Sequence, residues 1–252
     1  MKTSIIAHRG DSGNAPENTL AAFERAWHLN VDYIEFDYHH SRDGIPVVIH
    51  DATVDRTTDT LARGYPAGTR VDSLSLSELA ALDATRGHNG RWSAFRPCPL
   101  PTVEAVLRSA LALNRQCVIE RKSGDSATLC RLLADLNATE YVIVISFESE
   151  GGWEFLAECQ AQGIETAYLL NNDLSEARID RLVNEFQATR LNCNHNLLTA
   201  PLLETLRARN LEVWAWTVND MERARTLEGW GVRAITTDYP AMLLQELHSH
   251  SA

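Results

Sequence analysis

The sequence predicts a (β/α)8 barrel of the TIM type with a small capping insertion after its second strand. The chain has 252 residues, short β-rich runs alternate with helical stretches almost throughout, and neither GxGxxG nor GxxxxGKS/T occurs. Single α/β barrels commonly run about 200–250 residues, and parallel neighbours need a crossover that is usually a helix. A doubly wound open sheet is the structural alternative, but it normally carries a Gly-rich nucleotide loop.

Eight strand–helix units follow one another along the chain. Strands are predicted over residues 3–7, 32–38, 117–121, 141–146, 165–170, 189–193, 211–217 and 233–237. Helices are predicted over residues 18–29, 102–113, 126–136, 152–162, 175–187, 200–209, 220–229 and 240–247. The first helix repeats apolar residues at helical spacing, and Thr102 is placed to cap the second. A further short strand over residues 45–49 lies outside this count.

Residues 51–101 interrupt the alternation with a segment rich in glycine and proline. Only one short helix is predicted there, over about residues 77–83. An insertion at the C-terminal end of a barrel strand overhangs the active-site face. We therefore expect a single barrel domain over residues 1–252 with an insertion subdomain over about residues 51–101.

Composition and charge exclude several classes of function. Lys and Arg number 23 against 34 Asp and Glu, a net charge of −11, which argues against nucleic acid as a partner. No apolar run approaches the roughly 18 residues of a membrane span, so we expect no stable membrane insertion and a cytoplasmic location. The oligomeric state stays open. The cysteines lack CxxC spacing and are predicted to be buried reduced thiols, at Cys98, Cys117, Cys130, Cys159 and Cys193.

Carboxylates alternate with apolar residues in two of the predicted barrel strands. Glu35 and Asp37 are two apart, so both side chains point to one face of the second strand. Glu120 and Lys122 repeat this spacing in the third strand. Carboxylates that face a barrel interior are costly to bury unless a cation neutralises them, and a hard divalent metal prefers oxygen ligands. Exposed carboxylates on an edge strand are the alternative.

Two histidines follow apolar strands, at the positions where strands open to the catalytic rim of a barrel. His8 precedes Arg9 and Gly10, and His50 ends the run IPVVIH. A histidine pair supplies a base and an acid near neutral pH, and Arg9 could direct two donors onto a phosphate. Among the other histidines, His195 is a further candidate, adjacent His39 and His40 point to opposite faces, and His248 and His250 belong to a tail expected to fray.

These motifs resemble the glycerophosphodiester phosphodiesterase family, and most closely its short cytosolic bacterial members. The resemblance spans nearly the whole chain, and its HRG…PENT…ExD…HD order is highly specific. The matching segments are His8–Gly10, Pro16–Thr19, Glu35–Asp37, Asp43–Gly44, His50–Asp51, Arg56–Thr58, Leu100–Thr102, Glu120–Lys122, Ser146–Phe147, Trp216–Asn219 and Thr236–Pro240.

The resemblance implies a role for each matching residue. Glu35, Asp37 and Glu120 match metal ligands for one divalent cation, with Mg²⁺ favoured over Ca²⁺ or Mn²⁺. The acid/base pair matches His8 and His50, the phosphate-binding cations match Arg9 and Lys122, and the substrate pocket matches Trp216 and Phe147. The insertion matches a cap at the substrate mouth.

The implied reaction is hydrolysis of glycerophosphodiesters to sn-glycerol 3-phosphate and an alcohol. The sequence leaves open which histidine is the acid, which alcohol is preferred, and whether water or the substrate 2-hydroxyl attacks. One alternative is a lysophospholipase D-like enzyme, although no amphipathic basic helix is visible for it. Another is an amidohydrolase-type metal barrel, which requires an HxH pair on the first strand. A third is a binding module without catalysis, in which loss of a histidine or carboxylate would be expected.

Overall fold

The structure, a computed structural model, describes residues 2–248. Its strands are β1 Ser4–Ala7, β2 Tyr33–His40, β3 Pro46–Val48, β4 Gln116–Arg121, β5 Val142–Ser146, β6 Glu165–Leu170, β7 Arg190–Asn194, β8 Glu212–Trp216 and β9 Ala234–Thr237. Its helices are α1 Leu20–His28, α2 Leu76–Ala80, α3 Val103–Ala112, α4 Ser126–Asp135, α5 Gly152–Ala161, α6 Glu176–Phe186, α7 Ala200–Ala208, α8 Met221–Gly229 and α9 Pro240–His248. The tail that the sequence predicts to fray lies outside the described residues at His250, and the side chain of His248 is not described either.

Eight parallel strands close into a barrel. The sheet order is β1-β9-β8-β7-β6-β5-β4-β2, and β1 also pairs with β2, so that the wall has no free edge. This closure confirms the predicted (β/α)8 barrel and excludes the open doubly wound sheet. Since the strands are parallel, their C-terminal ends gather at one mouth of the barrel.

The strand β3 is not part of the barrel wall. It runs antiparallel to the outer end of β2, with His40 opposite Pro46 and Tyr38 opposite Val48. The predicted strand over residues 45–49 therefore exists, but it folds back along its predecessor. This pairing carries the chain that follows β3, including His50, to the mouth of the barrel.

Side-chain alternation separates two apolar regions. Alternate residues of β2, Ile34, Phe36 and Tyr38, pack outward against the helices in the main core. A smaller cluster fills the lumen with Ile6, Val118, Ile143, Ile145, Ala167, Leu169, Trp214 and Ala234. The remaining residues of β2, Glu35 and Asp37, therefore point into the barrel.

Residues 51–101 lie between β3 and α3 and have a small apolar core that includes Val54, Leu79 and Leu100. The helix α2 is shorter than predicted. It begins at Leu76 behind a capping box of Ser75 and Glu78. It ends early because the N–H groups of Ala81 and Leu82 turn to i−3 carbonyls.

Local signals in the sequence account for several junctions. Thr102 caps α3 as predicted, with its Oγ1 accepting from the Ala105 N–H at 3.1 Å. Gly10 has φ +82°, and a Cβ there would lie 2.6 Å from the Ala22 backbone, so only glycine fits the turn after β1. All five cysteines are free, but Cys98 and Cys130 are only half-buried, which corrects the expectation that all are buried. Within residues 2–248, no helix has the length and apolar character needed to cross a membrane.

Candidate active site

A cavity of about 280 Å³ opens at the C-terminal mouth of the barrel. Its β1–β4 side carries charged and titratable side chains from His8, Arg9, Glu35, His50, Glu120 and Lys122. Its β5–β9 side carries apolar and uncharged polar side chains. A larger groove of about 540 Å³ lies at the opposite mouth, around the starts of β8 and β9, away from these groups.

Three buried carboxylates meet at the floor of the charged side. Glu35, Asp37 and Glu120 are 2%, 0% and 8% exposed, and one oxygen of each lies within 4.8 Å of the others. Adjacent strands bring them together, because Asp37 of β2 is in register with Glu120 of β4. Glu35 Oε2 accepts the Arg9 N–H at 3.0 Å, whereas its Oε1 is buried and has no hydrogen-bond partner within residues 2–248.

Burial and mutual repulsion separate the pKa values of the three carboxyls. Burial, reinforced by the neighbouring carboxylates, raises the pKa of Glu35 well above its ordinary value. Burial also raises the pKa of Glu120, to about 7, although the Lys122 ammonium opposes that rise. The pKa of Asp37 is lowered, because Lys122 and Arg9 together outweigh its burial.

Two cations face the carboxylates. The Lys122 ammonium forms ion pairs with Glu120 and, at 3.1 Å, with Asp37 Oδ1. Arg9 Nε lies 3.2 Å from Asp37 Oδ2, and its Nη1 donates to Glu17 Oε1 at 2.8 Å. Burial opposes the charge on Lys122, but the two carboxylates raise its pKa overall, so it stays an ammonium.

The carboxylate cluster fits a hard divalent cation. It offers three oxygen ligands from rigid neighbouring strands, and Glu35 Oε1 has no other partner in the described part of the chain. If all three carboxyls are ionised, the two nearby monovalent cations leave one negative charge uncompensated, in keeping with the raised pKa values of Glu35 and Glu120. Glu35, Asp37 and Glu120 could therefore hold a metal ion, and the carboxylate oxygens alone do not distinguish Mg²⁺, Ca²⁺ and Mn²⁺.

Each of the two histidines at the mouth is held at Nδ1 by a carboxylate. His8 Nδ1 lies 2.6 Å from Asp238 Oδ1, and His50 Nδ1 lies 2.7 Å from Asp51 Oδ1. A carboxylate at Nδ1 places the proton of the neutral ring there, which leaves Nε2 as the acceptor. Burial lowers the pKa of His50 and keeps its imidazole neutral near pH 7.

An arginine of the insertion connects the two halves of this mouth. Arg56 Nε donates to Asp51 Oδ2 at 2.6 Å, while its Nη1 and Nη2 donate to Glu17 at 2.9 and 2.8 Å. Glu17 in turn accepts from Arg9. The hydrogen bonds therefore run without a break from His50 through the insertion to Arg9, beside the carboxylates.

The uncharged wall is aromatic and tightly ordered. Phe147 and Trp216 meet edge to face, with ring centroids 5.6 Å apart at 84°. Trp216 Nε1 donates to the backbone carbonyl of Asn192 at 2.9 Å, so the indole N–H is satisfied within the wall. The cavity is thus charged on one side and uncharged on the other, where aromatic and aliphatic side chains alternate with asparagine and threonine.

The structure brings the sequence-predicted residues together. Eight line the cavity, and Asp37 lies directly behind, in contact with Arg9 and Lys122. His195 lies in a turn after β7 and is not among the cavity residues. The sequence predicts that Arg9 directs two donors onto a phosphate, but in the structure its Nη1 donates to Glu17 and its Nε forms an ion pair with Asp37.

Sequence reasoning gave no role to several residues of this site. Asp51 and Asp238 appeared in motifs but were given no role as partners of His50 and His8. Asn192 and Thr236 line the cavity from β7 and β9 and received no role. Strand parity was a usable signal for Asn192, because Leu191 and Cys193 on either side of it are apolar and pack outward.

His39 is a further omission. The sequence argument noted only that His39 and its neighbour His40 point to opposite faces of the strand. In the structure, His39 Nε2 lies 3.1 Å from the His50 carbonyl, and its Nδ1 lies 3.2 Å from Ser123 Oγ. His39 therefore supports the backbone from which His50 projects.

Comparison with known proteins is consistent across sequence and structure. Residues 8–242 match the Glycerophosphoryl diester phosphodiesterase family. A glycerophosphodiester phosphodiesterase of Caldanaerobacter subterraneus is 32% identical over 250 residues, covering 97% of both chains. The crystal structure of a glycerophosphodiester phosphodiesterase from Agrobacterium tumefaciens has a TM-score of 0.79 at 28% identity, covering 96% of this chain and 98% of that one.

A more distant structure shares the fold. It is an Oleispira antarctica phosphodiesterase, solved in complex with its product sn-glycerol-3-phosphate. The TM-score is 0.81 at 24% identity, and the match covers 98% of both chains.

Proposed function

We propose that this chain, which belongs to the glycerophosphoryl diester phosphodiesterase family, hydrolyses glycerophosphodiesters to sn-glycerol 3-phosphate and an alcohol. It is a phosphodiesterase, an enzyme of the hydrolase class. The observation that carries the proposal is the composition of one cavity, where three carboxylates, two cations and two carboxylate-held imidazoles converge. Hydrolysis of a phosphodiester needs all three kinds of group. Its negative charge must be stabilised, its nucleophile must lose a proton, and its leaving oxygen must gain one.

Glu35, Asp37 and Glu120 would hold one divalent cation, and we favour Mg²⁺ over Ca²⁺ and Mn²⁺. When bound, such an ion supplies Lewis-acid stabilisation of charge on a phosphoryl oxygen. The protein's own contribution is a buried cluster of carboxylate oxygens, preorganised on two neighbouring strands.

Arg9 and Lys122 are proposed to bind the phosphate oxygens. Their side chains are 17% and 16% exposed, at the boundary between the buried carboxylates and the open cavity. The ammonium of Lys122 keeps its charge, and Arg9 has one guanidinium edge committed to Glu17. Charge-assisted hydrogen bonds from these groups would orient the diester over the carboxylates.

His50 and His8 are proposed to exchange protons with the substrate. His50 is neutral near pH 7 because of its burial, which suits it to accept a proton from the attacking oxygen at Nε2. His8 would react as the imidazolium held at Nδ1 by Asp238; it would give its Nε2 proton to the departing alcohol oxygen and become the neutral ring. The attacking oxygen is either that of water or the 2-hydroxyl of the substrate. Inversion at a chirally labelled phosphorus would indicate a single displacement and eliminate the cyclic route.

Replacement of His50 tests the proposal. His50→Ala is expected to lower kcat by about 10²–10⁴-fold, the usual contribution of a positioned acid or base. The matched control is His28→Ala, because His28 is exposed on α1 far from the cavity residues. Circular dichroism and the melting temperature would show that both variants fold. Unchanged kcat in a folded His50→Ala protein would remove His50 from the mechanism.

A further inference from the structure

Two cysteines on neighbouring helices meet on the outer layer of the barrel. Cys130 lies on α4 and Cys159 lies on α5, and these two helices pack against one another. The Cys130 thiol donates to the Cys159 sulfur, with the two Sγ atoms 4.0 Å apart. A disulfide bond is about 2.0 Å long, so the two sulfurs need to approach by about 2 Å to become bonded.

The two thiols differ in how an external reagent reaches them. Cys130 is half-buried and lines a groove of about 520 Å³ between α4 and α5. Cys159 is 0% exposed and packs in the main core. A groove of this size has room for a small organic molecule. An external reagent therefore meets Cys130, whereas Cys159 is covered and has the Cys130 sulfur as its neighbour.

The surroundings keep both cysteines protonated near pH 7. Burial raises the pKa of the Cys130 and Cys159 thiols, and the Glu158 carboxylate adds to both rises. The Arg121 guanidinium opposes the rise at Cys159 without cancelling it. Since the thiolate is the attacking species, the reaction of this pair becomes faster as the pH increases.

We propose that Cys130 and Cys159 form a modification site at which a small-molecule disulfide, such as oxidised glutathione, converts the two thiols into an intramolecular disulfide. The Cys130 thiolate attacks one sulfur of the reagent, breaks its S–S bond and releases one thiolate. The Cys159 thiolate then attacks the Cys130 sulfur, forms the internal S–S bond and releases the second thiolate. The protons lost by the two cysteines go to the two released thiolates. The two cysteines are thus oxidised, and the reagent is reduced to two thiols.

The internal bond is expected to stabilise the fold. Cys130 and Cys159 are 29 residues apart in the chain, so their linkage restricts the unfolded state. Cys98 provides the internal comparison, because it is also half-buried but its thiol donates to the Arg96 carbonyl and not to a second sulfur. Neither Cys130 nor Cys159 lines the active-site cavity, so the inference does not depend on the proposed function.

The test treats the folded parent with excess oxidised glutathione at about pH 8, blocks the remaining thiols by alkylation and maps tryptic peptides by mass spectrometry. Trypsin cleaves after Arg131 and therefore places Cys130 and Cys159 on separate peptides. The expected result is a link between these two peptides with the loss of two hydrogen atoms. Glutathione should remain attached at Cys98. The melting temperature should rise on oxidation and return to its starting value with dithiothreitol.

Three variants sharpen the outcome. Cys98→Ser is the matched control and should form the same internal link with the same rise in melting temperature. Cys130→Ser should show neither. Cys159→Ala should stop at the first step, with glutathione retained on Cys130.

The peptide map of the parent decides the matter even if a variant at the buried Cys159 fails to fold. Glutathione retained on Cys130 of the parent would overturn the proposal, as would a Cys130 that stays a free thiol. A link from Cys130 or Cys159 to a different cysteine would overturn it as well. None of these readings requires turnover of a substrate.

Discussion

At the scale of single residues, the carboxylates behind the two imidazoles decide what each ring can do. Asp238 is itself held by Ser12 Oγ at 3.1 Å and Asn219 Nδ2 at 2.6 Å. Strand alternation made the carboxylates of the candidate metal site predictable. Glu35 and Asp37 are two residues apart in one strand, so both side chains must point to the same face. No local rule could pair His8 with Asp238, since they meet only when β9 closes against β1.

Asp51→Asn is expected to lower kcat by on the order of tenfold to a thousandfold, because the amide no longer fixes the proton on Nδ1 of His50. The variant should also change the pH dependence of kcat, which a purely structural defect would not do. Asp72→Asn is the control, as Asp72 is an exposed aspartate of the same insertion. If kcat and its pH profile match the parent in Asp51→Asn, the orienting role is wrong.

Acid stability should depend on Asp238. Burial raises the pKa of Asp238, but the hydrogen bonds from His8, Asn219 and Ser12 outweigh burial. Together they lower the pKa from its ordinary value of 3.8 to about 2. The unfolded chain therefore binds the proton first as pH falls, and the stabilisation present above about pH 4 is lost on approach to pH 2. Asp238→Asn should be less stable than the parent at pH 5, and this difference should shrink at pH 3. A difference in melting temperature that stays constant would contradict this account.

At the scale of elements, the folded-back strand β3 and the insertion assemble half of the mouth. The sequence indicated a strand over residues 45–49 from its apolar run, but a run of that length contains no information about its partner. The pairing of β3 with β2 depends on tertiary contacts, and it places His50 in the site. The bounds of α2 were missed for a related reason, because its early end is set by i−3 hydrogen bonds and not by a breaker residue.

Arg56→Ala should disturb the site through the insertion. The guanidinium of Arg56 bridges Asp51 and Glu17. Its loss therefore removes a hydrogen bond from Asp51, which holds His50, and from Glu17, which holds Arg9. We expect kcat/KM to fall by about tenfold to a hundredfold, consistent with loss of geometric positioning. Arg70→Ala is the control, since the Arg70 guanidinium forms an exposed ion pair with Asp72 in the same insertion. Equal effects of the two replacements on kcat/KM would refute a specific role for Arg56.

At the scale of the whole molecule, the closed barrel brings together three carboxyls whose full ionisation the neighbouring side-chain cations do not compensate. The chain has a net charge of −11, and three carboxylates are buried at one point in the lumen. The barrel was predictable because eight alternating units leave few other topologies. The depth and walls of the cavity were not, because they depend on how eight strands stagger around the lumen.

Metal binding should therefore stabilise the whole barrel. At a free cation concentration 100 times Kd, the parent should gain about 2.7 kcal/mol in free energy of unfolding. Glu120→Gln should weaken binding, so the same cation concentration should give a smaller rise in melting temperature and a higher midpoint for activation. Glu104→Gln, at an exposed site on α3, should behave as the parent. Identical midpoints in Glu120→Gln and the parent would mean that Glu120 is not a ligand.

The most direct test is turnover of glycerophosphocholine by the parent protein after treatment with a chelator. Mg²⁺, Ca²⁺ or Mn²⁺ would be added in turn, with sn-glycerol 3-phosphate and choline measured in separate assays. The account predicts no release without metal and equal amounts of both products when a suitable cation is restored. Release of neither product with any of the three cations would contradict it, as would full activity in the presence of the chelator.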